Sequence, residues 1–339
     1  MSLPPSEIPS GAMRFNSDSQ KLEYWNGSAW FQVHTFSPNL ASAGDPTPGA
    51  RGVFGSGATP ALDDRMDYVN IASTGNAISF GDATANSEHK KGSTASSTRG
   101  LFAGGNAPGQ VNTIDFITIS STGNASDFGD LTTVGNTMAS CGNQTRGLFC
   151  NGHRSNSGSP YNSNIIDYVT IASTGNSVDF GDTVNTARDR WGSTTPTRGF
   201  VADGTTSTGN SNTIEMITIA TLGSAIDSGF DLISTFSSSC HTATNGRRIV
   251  FLASSSSPFP IGYFNAFNLS NSISFGDLNF NVSGNGGYPC SPTRGLFGQN
   301  GSTGIDMINI STEGDAVDFG DLTVGRSLYG AVSNAHGGL

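Results

Sequence analysis

The chain has 339 residues, 35% of them hydrophobic and only 12% charged, with 45 glycines and a formal net charge of -10. Charge is about half the usual quarter, and the 16 Lys and Arg are scattered, which argues against a nucleic-acid partner because phosphate binding needs them clustered. No run approaches the roughly 18 to 20 apolar residues of a membrane span, and Met1–Glu7 has neither the basic nor the apolar stretch of an export signal, so export by that route is not expected.

Residues 1–34 differ in pattern from the rest of the chain. Gly11–Asn16, Lys21–Trp25 and Ser28–Val33 read as three strands, with a type I′ turn expected at Asn26-Gly27. So small a meander cannot bury enough apolar surface alone. Phe15, Tyr24, Trp25, Trp30 and Phe31 are therefore expected to pack on another subunit, another protein or the rest of the chain. Gly11 through Trp30, with Arg14-Phe15-Asn16, Asp18 and Asn26-Gly27-Ser28 at its centre, resembles short modules of bacteriophage tail-fibre and other virion proteins. The resemblance implies virion attachment or oligomerisation, a trimer being one form. Residues 35–50, rich in Pro, Gly and Ser, read as a linker.

From Arg51 onward the chain is a repeat array with two fixed marks. One is a strand opened by Arg, at Arg51, Arg99, Arg146, Arg198, Arg248 and Arg294. The other is Phe-Gly-Asp, ending at Asp82, Asp130, Asp182, Asp277 and Asp321, with Gly229-Phe230-Asp231 as a variant. A period near 48 residues without helical patterning predicts an all-β, six-bladed β-propeller over residues 51–339. In the second copy its four strands are expected at Gly92–Ser97, Thr98–Ala103, Thr113–Ile119 and Ala125–Asp130. The first copy lacks a first strand, and Ser327–Asn334 follows the last Phe-Gly-Asp, so this tail is expected to complete blade one. The repeat is similar to those of marine phages, including cyanophages, and Gly104-Gly105 resembles the doublet of kelch blades. This likeness implies a virion component.

Six-fold repetition points to structure, because a catalytic site needs different groups converging on one place. The Arg series or backbone donors are expected to satisfy the carboxylates of Asp82, Asp130, Asp182, Asp231, Asp277 and Asp321. A second series, Asp67, Asp115, Asp167, Glu215 and Asp306, opens the third strands, but no calcium-loop pattern accompanies it. Cys141, Cys240 and Cys290 occupy comparable places and are expected, with Cys150, to be free thiols. His153 and His336 are expected in solvated loops and Trp191 between blades. No cofactor, metal or catalytic residue is expected. The copies differ most in the loops 104–112, 152–164, 204–212 and 254–260, where Asn106, His153, Tyr161, Asn210 and Phe259 are candidate ligand residues for a sugar. Two readings stay open: a tail-fibre or tail-associated adhesin recognising a host-surface glycan or protein, and a capsid decoration or general glycan- or protein-binding propeller.

Overall fold

The computed structural model describes residues 8–16, 21–32, 50–58, 61–87, 92–107, 109–150, 152–154, 162–202, 204–235, 241–253, 256–282 and 287–339. All regular structure among them is antiparallel β-sheet. The chain divides into two compact units, Met1–Ser42 and Ala43–Leu339. The linker expected at residues 35–50 lies, but for Ala50, outside the described residues.

The first unit pairs Met13–Asn16 with Lys21–Trp25, and the latter with Trp30–Gln32. Strand alternation splits its side chains between two faces. On one, Arg14 Nε (2.9 Å) and Asn16 Nδ2 (3.0 Å) donate to the Glu23 carboxylate. There the Arg14 guanidinium also lies 4.2 Å from the centre of the Trp30 ring, which packs on Trp25. The other face carries Met13, Phe15, Tyr24 and Phe31, exposed by 61%, 66%, 40% and 47%. The expected two-residue turn at Asn26-Gly27 is a four-residue loop instead, since Trp25 pairs directly with Trp30. Asn26 causes the difference: its Oδ1 accepts from the amides of Ser28 and Ala29, both at 2.8 Å, and holds the wider loop.

Among the described residues the second unit contains six principal sheets. The first is Gly330–Ser333, Arg51–Ala58, Leu62–Asn70 and Ile78–Asp82, in that order. The C-terminal segment thus supplies the strand that the first copy lacks. The second sheet is Gly92–Ala95, Arg99–Ala103, Thr113–Thr118 and Ser126–Asp130; the third is Ala139–Gly142, Arg146–Cys150, Ser163–Thr170 and Val178–Ala187. The fourth runs Trp191–Thr194, Arg198–Ala202, Thr213–Thr218, Ile226–Asp231, and the fifth Thr242–Thr244, Arg248–Leu252, Pro260–Asn265, Ile273–Asp277. In the sixth, Arg294–Gly298, Ser302–Asn309 and Val317–Arg326 form the sheet, and a single bridge from Cys290 to Gly295 marks the first-strand position. Each repeated Arg opens a second strand.

Phe-Gly-Asp is a joint between sheets. Its Phe is buried in the core at Phe80, Phe128, Phe180, Phe275 and Phe319. At Gly81, Gly129, Gly181 and Gly320 its Gly has φ between +144 and +148, and it touches the next sheet so closely that a Cβ on Gly129 would stand 2.5 Å from the Gly175 carbonyl. Its Asp bonds through the main chain. The Asp carbonyl accepts from the turn of the following sheet: Ala125 N to Asp82 O, Ser177 N to Asp130 O, Ala225 N to Asp182 O, Ser272 N to Asp231 O, Ala316 N to Asp277 O, and Ala77 N back to Asp321 O. The Asp amides donate the other way, to Asn124, Asn176, Ser224, Asn271, Asp315 and Asn76. The bonds run from each sheet to the next and from the sixth to the first.

A second cycle runs through the first strands, which are buried at every described position. Ser93 Oγ donates to Ala331 O, Ser140 Oγ to Ser93 O, Thr194 Oγ1 to Gly142 O and Thr244 Oγ1 to Thr194 O. Cys290 Sγ donates to Thr244 O, and Ser333 Oγ returns to Cys290 O at 2.6 Å. Apart from Trp191, these strands are made of small residues because the neighbouring chain is close, and of hydroxyls because otherwise-unpaired carbonyls there need donors. The last residues then span this cycle: His336 Nε2 lies 2.9 Å from Ala95 O of the second sheet, while Gly337 N donates to Thr244 O of the fifth. Tyr288 and Thr94 share a hydrogen bond of 2.7 Å between the sixth and second sheets.

Candidate functional site

The repeated arginines do not serve the Phe-Gly-Asp carboxylates. Arg51 Nη1 donates to Ile119 O, Arg99 to Ile171 O, Arg146 to Ile219 O, Arg248 to Ile310 O and Arg294 to Ile71 O, each reaching the third-strand end of the next sheet. Among the described residues no ion pair joins the two series. The expectation failed because the joint uses the aspartate main chain and leaves its carboxylate toward solvent, the one at Asp321 accepting from Thr303 Oγ1 at 2.8 Å. In four copies the guanidinium lies over an aromatic ring: Arg51 on Tyr68, Arg99 on Phe116, Arg146 on Tyr168 and Arg248 on Tyr263, at 4.6 to 5.1 Å.

The second acidic series is buried and bonded to the preceding sheet. Thr84 Oγ1 donates to Asp115, Thr132 Oγ1 to Asp167, Thr323 Oγ1 to Asp67 and Asn279 Nδ2 to Asp306, at 2.5 to 2.7 Å. Where that donor position holds Val184, the longer Glu215 reaches the amides of Val184 and Asn185 instead. In the fifth copy the acid position is Gly262 and the donor position is Ile233, whose Cδ1 stands 3.4 Å from where a Gly262 Cβ would lie. Acid and donor are lost together. Three buried arginines neutralise three of the acids: Arg154 on Asp167 and Arg190 on Glu215 at 2.7 and 2.8 Å, and Arg326 on Asp67. These arginines enter from a loop hairpin, from the segment before a first strand and from the end of a fourth strand, with no shared spacing to betray them in sequence. Burial raises the Asp306 carboxyl, against the lowering effect of Asn279.

The four variable loops follow second strands and so emerge at the opposite end of the sheets from the Arg-bearing ends. Asn106 Oδ1 accepts from Asn136 Nδ2, and Gln110 Nε2 bridges to His153 Nδ1 and O, so the loops of the second and third copies meet. His153 is only partly buried, and burial, then Arg188, lowers its pKa. Tyr161 lies outside the described residues. Phe259 is no ligand platform: it packs against the core of the fourth and fifth sheets. Asn210 lies on the hairpin Thr205–Thr206 with Gly209–Asn210, which Arg188 fixes through two backbone bonds. Between this hairpin and the end of the third sheet is a groove of about 510 Å³, lined by Val184, Asn185, Thr206, Thr208, Asn210 and Asn212 among others. The groove offers amides, hydroxyls and the 53% exposed Val184, and no ionisable group in its lining. Such a surface can hydrogen-bond a polyol and cover one apolar patch of it. Its wall residues Val184 and Asn185 belong to the preceding copy, which reading one loop at a time could not find.

Among the described residues the remaining thiols and imidazoles are enclosed. Cys141, Cys150 and Cys290 are free and buried, and burial pushes the Cys290 thiol up to about 12. Cys240 and the histidines at 34 and 89 lie outside the described residues. His336 is not solvated as expected but buried. Its Nδ1 accepts from Gly338 N, which puts the ring proton on Nε2 toward Ala95 O. His241 is buried against the rings of Phe54 and Tyr329. Trp191 is fully buried and stacks on Phe251 of the fifth sheet at 5.1 Å, packing between sheets as expected. No protein-family model matches the chain, and a comparison with curated proteins gives no match either.

Proposed function

We propose that the chain is a non-enzymatic display protein of a phage particle: a six-bladed propeller that binds a host-surface glycan, carried by an N-terminal meander that joins it to the virion. The observation that carries this reading is the division of labour among the residues. The repeated Arg and the main chain of the repeated Asp are used between sheets, and the third-strand acids are buried in bonds, so they support closure. The copy-specific loops form the polar, uncharged groove at Asn210. The cycles of hydrogen bonds support a propeller, since sheets arranged in a closed ring let the sixth bond to the first as every other sheet bonds to the next. The exposed Met13, Phe15, Tyr24 and Phe31 face supports attachment, because a small sheet with one such apolar face is completed by a partner.

A glycan array probed with the full chain tests the reading. Binding to a defined set of glycans, lost in Asn210→Ala with Thr208→Ala, is expected. Binding left unchanged by that variant removes the groove from the function, and absence of the protein from purified particles removes the virion. The second reading, capsid decoration or a general glycan- or protein-binding propeller, is favoured if particles carry the chain and no host surface retains it.

A further inference from the structure

The end of the second unit opposite the loop groove carries a second kind of site, and one copy holds its own stand-in ligand. In the fifth sheet, Arg248 stacks on Tyr263, and Glu313 from the turn of the sixth sheet reaches across to them. Tyr263 Oη donates to Glu313 Oε1 at 2.6 Å, and Arg248 Nη2 lies 3.7 Å from the same oxygen. The Arg-on-Tyr pair is thus a carboxylate seat, demonstrated by a carboxylate of the chain itself.

The same pair recurs as Arg51 on Tyr68 and Arg146 on Tyr168. The residue corresponding to Glu313, three past the Ile whose carbonyl the Arg binds, is Thr122 for the first pair and Leu222 for the second. Neither can supply a carboxylate. Arg51 spends Nη1 on Ile119 O, and among the described residues its Nε and Nη2 have no hydrogen-bonding partner. Arg51 and Tyr68 open onto a depression of about 380 Å³ lined also by Asn70, Ser73, Thr74, Asn76 and the exposed Ile78, with no acid in the lining. In a chain of net charge -10 that is a local exception. The seat fits a carboxylate; the hydroxyls and amides beside it and the apolar Ile78 fit a sugar ring better than a peptide, whose backbone would need a strand edge or a groove to pair with.

We infer that Arg51–Tyr68 and Arg146–Tyr168 are two equivalent sites for the carboxylate of an acidic sugar, a uronic or sialic acid residue of a surface polysaccharide. Placing two seats on one rigid ring gives avidity for a chain with repeating carboxylates. This deepens the glycan-binding reading by naming a ligand class, and it concerns a site distinct from the Asn210 groove.

Calorimetry on the full chain decides it, with trigalacturonate, a hyaluronan tetrasaccharide and sialyllactose as probes, their methyl esters as neutral controls, and triglutamate as the peptide control. At least one acidic sugar is expected to bind with two sites per chain, and its ester at least ~10-fold more weakly, since a charge-assisted carboxylate contact is lost. Thr122→Glu with Leu222→Glu, which gives both seats the internal carboxylate already tolerated at Glu313, should abolish binding while the fold is kept. Glu313→Thr should raise the stoichiometry to three. The inference is overturned if no acidic sugar binds, if esters bind equally, if triglutamate binds as well as the sugar, or if the double glutamate variant still binds. Groove binding, read with neutral glycans and Asn210→Ala, stands or falls separately.

Discussion

The buried pair Arg190–Glu215 offers a quantitative test of how the sheets are joined. Both side chains are fully buried, the ion pair is 2.8 Å long, and Glu215 also accepts the Val184 and Asn185 amides at 2.8 and 3.0 Å. Arg190→Met leaves a buried carboxylate with two amides and no counter-charge, and Glu215→Met leaves a buried guanidinium with no counter-charge. Each should cost about 3 to 5 kcal/mol, the usual penalty for a stranded buried charge. The double variant Arg190→Met/Glu215→Met should recover most of that loss, because two apolar side chains of similar volume replace a pair whose desolvation nearly cancels its attraction. The fifth copy supports this expectation: with Gly262 and Ile233 it does without both acid and donor at the same junction. Urea unfolding of the four proteins, followed by tryptophan fluorescence, gives the coupling energy as a double-mutant cycle. Single-variant losses below about 1 kcal/mol, or additive losses in the double variant, would refute the claim that this junction is a desolvated charge pair.

Other outcomes rest on the same kinds of contact. Gly129→Ala should destabilise by at least about 2 kcal/mol, because its Cβ would meet the Gly175 carbonyl at 2.5 Å, whereas Gly175→Ala, with similar φ and open space, should cost about 1 kcal/mol; equal effects in thermal melts would dismiss the close approach as the cause. Burial depresses His241 to about 3 and His336 to about 4. The unfolded chain therefore takes up protons near pH 6.5 that the folded chain does not, and their stabilisation, full above pH 6.5, is lost as pH falls toward those values. That amounts to roughly 5 kcal/mol for both together by pH 4.5. The raised Asp306 carboxyl works the other way, its contribution fading as pH rises. Denaturation from pH 7 to 4.5 should show the net loss, smaller in His241→Phe, and a flat profile would count against both histidines. In a Cys240→Ser background, a thiol reagent should label none of the three remaining thiols until the protein unfolds, since all are buried; prompt labelling would mean that the packing at Cys141, Cys150 or Cys290 opens readily.

The repeat exposed the architecture because each mark has one physical job in every copy. Period and strand runs placed the second copy's strands within a few residues of Gly92–Ala95, Arg99–Ala103, Thr113–Thr118 and Ser126–Asp130. The missing first strand at Arg51 pointed to Gly330–Ser333 as its replacement. A repeated residue type did not expose its partner. Arg and Asp invite pairing as opposite charges, yet the bond that recurs is between main-chain atoms of the Asp and the next turn, which side-chain chemistry does not announce. The arginines that do meet acids, Arg154, Arg190 and Arg326, sit at unrelated offsets, so periodicity hides them. Tail residues read as solvated, such as His336, are enclosed because the chain that closes the first sheet then crosses the middle of the strand cycle.

The copies also show why a repeated sheet junction tolerates drift that a single site would not. At each junction one sheet offers a donor and the next an acceptor, so a change on one side can be met from the other: Thr to Val184 by Asp to Glu215, and loss of the acid at Gly262 by Ile233. Such compensation needs only two neighbours to agree, as expected where stability is a sum of interfaces between adjacent repeats. A linear array would lose one of these interfaces at its end. Here the tail restores it, through Ser333 Oγ to Cys290 O and Ala77 N to Asp321 O, so each of the six sheets bonds to two neighbours. With closure carried by those shared contacts, the loops around Asn210 and the turns at Thr122 and Leu222 are free to vary, and that freedom is what a binding surface requires.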